Sequence, residues 1–160
     1  MKLTNVSSEA VVQKAQSPNK YWPWMLARIF LAGVFIFAGF LKLSGPVENF
    51  RGMIASYGVV PYAWIGVIAH TMPWLEFISG ISLLVGYFPR IGSAVLGVLS
   101  FSFICLIALA QVRGTLPANC GCFGDGFHMS PYQMSLLDAL NSLLALKLFG
   151  IKDHRLSIAA

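Results

Sequence analysis

From Ile91 to Val112 the chain runs without a charged side chain, and a helix of that length is about 30 Å long, the thickness of a bilayer's hydrocarbon core. In lipid a helix satisfies its own backbone N–H and C=O groups, so the run argues for a membrane helix. Three further apolar runs accompany it, and the predicted spans are 24–43, 63–88, 91–112 and 131–149. The chain is 57% hydrophobic and 11% charged, whereas soluble domains hold about 25% charged residues. With 160 residues, there is room for about four spans and for no separate soluble domain. The expected fold class is all-α: an integral membrane four-helix bundle with a short interfacial helix between spans 1 and 2.

The expected domains follow from where the apolar text stops. Residues 1–21 read as a polar cytoplasmic tail, without the apolar core or small-residue cleavage site of a signal peptide. The four-span membrane domain covers 22–150, and Tyr21, Trp22 and Trp24 mark its first interface. Between spans 1 and 2, Phe50, Met53, Ile54 and Tyr57 recur at helical spacing beside Glu48, Asn49 and Arg51, the pattern of an amphipathic helix lying in the interface. Pro89-Arg90 reads as a tight turn. Residues 113–130 form the longest polar connection, an external loop, and 151–160 form a basic cytoplasmic tail.

The net charge of +5 does not point to nucleic acid, because the basic residues cluster at span ends, where they meet anionic lipid. Their distribution also sets orientation. With both termini cytoplasmic, that side holds Lys2, Lys14, Lys20, Arg90, Lys147, Lys152 and Arg155, against Lys42, Arg51 and Arg113 outside. The 113–130 loop then faces outward, which in a bacterium is an oxidising compartment.

That loop carries Cys120-Gly121-Cys122-Phe123-Gly124. Two thiols separated by one glycine form a small ring when bonded, and such a ring forces the disulfide from its unstrained dihedrals and makes it easier to reduce. The spacing suits exchange, with Cys120 and Cys122 as the catalytic pair and His128 placed to stabilise a thiolate. Metal binding is the rival reading, through Cys120, Cys122, Asp125 and His128, although a one-residue gap is shorter than usual between paired zinc ligands. Cys105, deep in the third span, reads as a small apolar residue.

Charges within the spans are costly and demand partners. Arg28 and Glu76 are the expected intramembrane pair, with Lys42 snorkelling outward near the far end of its span. Asp138 and Asn141 lie one turn apart on the fourth span and share a face. Ser82 with Gly86, and Ser93 with Gly97, have the spacing that lets membrane helices approach closely.

Several of these residues together resemble the MauE family of methylamine utilisation proteins, within the DoxX-like group of four-helix membrane proteins. The resemblance covers about residues 28–149. It rests on Ala27-Arg28 and Ala38-Gly39-Phe40-Leu41-Lys42, on Tyr57 with Pro61, on Pro73-Trp74-Leu75-Glu76 with Gly80, and on Arg113-Gly114 followed by Cys120-Gly121-Cys122-Phe123-Gly124. Leu137-Asp138 stands where relatives often carry Arg-Asp. The resemblance implies a bacterial cytoplasmic (inner) membrane protein needed for maturation of methylamine dehydrogenase, whose disulfide-rich small subunit is the client. It also implies a periplasmic thioredoxin-like partner, and, through related proteins, a quinone as cofactor.

The expected function is support of periplasmic thiol-disulfide chemistry. Two other classes compete with it. One is a non-enzymatic docking or assembly factor in which the cysteines only staple the loop, and the other is a metal-handling or transport protein, which four spans without an internal repeat support weakly.

Overall fold

The computed structural model describes residues 22–117 and 130–150, and within them the chain is helical, with no strand. In order, α1 is Trp22–Ser44, α2 Val47–Ser56, α3 Tyr62–Val85, α4 Pro89–Arg113 and α5 Pro131–Gly150. Three of these, α1, α3 and α4, are long and apolar enough to cross a membrane. The fourth predicted span, α5, is not among the three, because Gln133, Asp138, Asn141 and two serines dilute its apolar residues.

The surface is apolar where a soluble protein's would be polar. Phe30, Phe37, Phe40, Ile78, Val98, Phe101, Leu136 and Leu143 all lie on the outside, while Ser93, Ser100, Glu76 and Asn141 are buried. This inversion is the mark of helices solvated by lipid, which gain little by hiding leucine and much by pairing small and polar groups.

Helix ends follow local chemistry. Pro46 and Pro61 sit immediately before α2 and α3. Gly86 ends α3 in the left-handed region at φ 83°, where its N–H bonds to Ser82 O, a conformation that glycine adopts without Cβ strain. Gly86 is therefore a helix cap. It also moves the end of the second span from the predicted 88 back to 85, and Tyr87 and Phe88 form the turn into α4.

α1 and α3 are antiparallel and in close contact. A Cβ added to Gly39 would lie 2.9 Å from Phe77 N and 3.0 Å from Pro73 O, and one on Gly80 would lie 2.8 Å from Ile36 Cγ1. Larger residues at either place would push the helices apart. Near one end of the molecule Leu31, Ala32, Phe35, Leu83, Leu96, Ala145 and Leu148 join all four long helices. Towards the other end Tyr57, Ile107, Ala110 and Met134 form a second cluster, and Phe50 and Ile54 hold α2 against Ile65 and Ala69 of α3.

Candidate functional site

Lys42 lies near the end of α1 and Glu76 near the middle of α3, and the close helix approach at Gly39 and Gly80 brings their side chains together. Lys42 Nζ donates to both carboxylate oxygens of Glu76, at 2.7 Å to Oε1 and 2.6 Å to Oε2. Both residues are buried, at 7% and 3% exposure. The ammonium also faces the ring of Phe50 on α2, 5.3 Å from its centroid, so an aromatic face adds to its stabilisation.

This arrangement corrects two sequence expectations. Lys42 does not snorkel outward, and the partner of Glu76 is Lys42, not Arg28. Arg28 instead donates from Nη2 to Leu84 O at the opposite end of α3, at 3.0 Å. The reason is register: the antiparallel contact that sets Ala32 and Ile36 against Gly80, and Gly39 against Pro73 and Phe77, puts Lys42 within side-chain reach of Glu76, whereas Arg28 meets Leu84, eight residues or about 12 Å further along α3.

Asp138 and Asn141 of α5 are both buried and face the same interior, as their spacing predicts. Together with Lys42, Glu76, Leu99 and Phe103 they line a cavity of about 30 Å³. The charged residues of three different helices thus converge on one small space. An apolar cleft of about 300 Å³ adjoins it across Leu99 and Phe103 and opens between α2, α3 and α4, lined by residues that include Phe50, Tyr57, Met72 and Leu106.

The cysteine pair falls on residues 118–129, so Cys120, Cys122, Asp125 and His128 lie outside the described residues. What is described is how the two ends of that segment are held. On the entry side, Arg113 Nη1 donates to Gly58 O at 3.1 Å and Thr115 Oγ1 donates to Tyr57 O at 2.6 Å, fastening the end of α4 to the α2–α3 elbow. On the exit side Ser130 and Gln133 cap α5 reciprocally: Ser130 N–H donates to Gln133 Oε1 and Gln133 N–H to Ser130 Oγ, at 3.2 and 3.4 Å. Gln111 Nε2 donates to Tyr132 Oη at 3.0 Å and ties the two sides together. Arg113 and Tyr57 stand among the residues that carry the family resemblance, but Gln111, Thr115 and the Ser130–Gln133 pair do not, although Ser130-Pro131-Tyr132-Gln133 carries a capping-box pattern legible in the sequence.

Cys105 is exposed on α4, away from the interior. Among the described residues no three His, Cys, Asp or Glu side chains come together as a metal-ligand set.

Helices with lipid-facing apolar surfaces and a buried ion pair define an all-helical membrane protein. A family model described as methylamine utilisation protein MauE matches residues 20–151, and the chain belongs to that family. It is 32% identical over 127 residues to methylamine utilization protein MauE of Methylophilus methylotrophus, covering 79% of this chain and 64% of that one. With the protein of the same name from Paracoccus denitrificans the identity is 32% over 103 residues, covering 64% and 54%. The chain therefore spans less than two thirds of the length of these relatives. No solved structure matches it.

Proposed function

We propose that this chain is a four-span protein of the bacterial cytoplasmic membrane, with cytoplasmic termini, that supports periplasmic thiol-disulfide chemistry in methylamine utilisation. In this reading α5 crosses beside α1, α3 and α4 to complete a four-helix bundle, and α2 lies in the outer interface. The periplasmic loop presents Cys120 and Cys122 to a thioredoxin-like partner, and a methylamine dehydrogenase subunit is the final client. Exchange proceeds through a mixed disulfide: a thiolate of one protein attacks the disulfide of the other, and the second thiol of the attacking pair resolves it. Two electrons and two protons pass between the pairs, so one becomes oxidised as the other is reduced.

The observation that carries this reading is the anchoring of the loop at both ends. Arg113, Thr115, Gln111 and the Ser130–Gln133 cap fix where the segment leaves and re-enters the helices. Such fixed ends suit a loop that must present a reactive pair to a docking partner at a set height above the membrane. A quinone does not find an evident place beside them. The apolar cleft suits a hydrocarbon chain, but its Thr71 and Ser102 hydroxyls already donate to Val67 O and Val98 O of their own helices, so no step is assigned to a quinone.

The test is to trap the partner. With Cys122→Ser or Cys120→Ser in cells, one of the two variants should accumulate a mixed disulfide with a periplasmic protein, identified by mass spectrometry. If methylamine-dependent growth survives replacement of both cysteines by serine, the chain is a docking factor. Orientation is checked separately with a membrane-impermeant thiol reagent on reduced spheroplasts, which should label Cys120 or Cys122 before lysis.

A further inference from the structure

The α4–α5 seam brings small residues into contact: a Cβ on Gly97 would lie 3.1 Å from Ala145 Cβ. In that antiparallel register Ser100, one turn further along α4, comes level with Ser142 of α5, and Asn141 is its neighbour. Three oxygens on these two helices, Ser100 Oγ, Asn141 Oδ1 and Ser142 Oγ, are buried and without a hydrogen-bond partner among the described residues. Ser100 and Asn141 are each only 1% exposed. Burying polar groups unsatisfied costs about 1–3 kcal/mol each, and native interiors rarely leave them so.

Asn141 also lines the cavity of about 30 Å³ that Lys42, Glu76 and Asp138 share. Two hydrogen bonds to Glu76 use two of the three N–H donors of Lys42. The lining of this space thus includes a residue whose amide oxygen has no donor, an ammonium with two of its three N–H groups on Glu76, and two carboxylates. A water site needs about 10–15 Å³ of such volume and two to four polar partners. This cavity meets both conditions.

We propose that the cavity between α1, α3, α4 and α5 is a binding site for a water molecule that donates to Asn141 Oδ1 and is held on its other side by the Lys42, Glu76 and Asp138 group. The water joins the two helix pairs: α1 and α3 bring the ion pair, and α5 brings Asn141 and Asp138. An apolar cavity of this size would remain dry, whereas one with these groups does not. The ion pair is thus hydrated on one side.

The experiment is a high-resolution structure of the full chain in lipid nanodiscs, for the wild type and for Asn141→Leu. Wild type should show a water-sized peak within hydrogen-bond distance of Asn141 Oδ1 and of at least one of Lys42, Glu76 and Asp138. The peak should vanish in Asn141→Leu, whose side chain fills the space. If that variant does not fold, Asn141→Ala serves: its larger cavity should retain water against the charged groups. A dry cavity, or an Asn141 Oδ1 bonded directly to a protein donor, overturns the proposal. Thermal melting in sodium against choline chloride at equal ionic strength separates water from a bound cation. No shift in Tm is expected, and a saturable sodium-dependent rise would make the occupant an ion and overturn the assignment to water.

Discussion

The α1–α3 and α4–α5 seams are both antiparallel and both built on small residues, yet they treat polarity differently. Between α1 and α3 the buried ammonium of Lys42 and the carboxylate of Glu76 answer each other. On α4 and α5 the buried oxygens of Ser100, Asn141 and Ser142 have no hydrogen-bond partner among the described residues. A seam that carries full charges must pair them, because an unpaired charge in lipid costs several kcal/mol. Neutral hydroxyls and amides tolerate a less complete arrangement, since each carries a smaller penalty.

The strongest way to break this contrast is to strand a charge. Lys42→Leu should leave Glu76 alone in the interior and cost about 3–5 kcal/mol, the typical loss on removing one partner of a buried pair. Folded yield in mild detergent and Tm would read it. Glu76→Gln should be milder, because it leaves a neutral group that still accepts from Lys42. Combining Lys42→Leu with Glu76→Leu should recover a large part of the loss, and a double variant as damaged as the single one would mean that the pair is not the source of the cost.

Gly39→Ala should come next. Its Cβ would press on Phe77 N and Pro73 O, which are backbone atoms with little freedom to move, and overpacking of this kind costs about 1–3 kcal/mol. The matched change on the other seam, Gly97→Ala, meets a single side-chain methyl at 3.1 Å and should cost less, as thermal melting of the two variants side by side would show. Smallest of all, Thr115→Val removes one hydrogen bond to Tyr57 O, with an expected loss of about 1 kcal/mol. Its visible effect should be faster proteolysis within the following loop, with little change in global melting.

Much of the architecture is legible in the sequence because lipid imposes a simple rule on it. The uncharged run ending at Val112 marks α4 to within two residues at its start and one at its end, and Pro131 marks the start of α5. Asp138 and Asn141 share an interior face as their spacing requires. Pairing was harder to read. Arg28 and Lys42 are both cations on α1, and choosing between them as partner for Glu76 needs the helix register, which depends on where Gly39 and Gly80 allow contact. Those glycines are evident in the text, but what they touch is not. Tyr87 and Phe88 are apolar and read as part of a span, whereas Gly86 before them ends the helix in the left-handed region.

The separation of Lys42 and Glu76 along the chain, thirty-four residues, bears on how the protein is made. When α1 leaves the ribosome its counterion has yet to be synthesised, and a lone lysine within a membrane helix is unfavourable by about 2.5–3.5 kcal/mol at the centre. Lys42 is near the trailing end of α1, where water and headgroups can solvate it while the chain grows. Its burial must wait for α3, so that the two helices settle into the bilayer as a hairpin, and the ion pair records the order of their arrival.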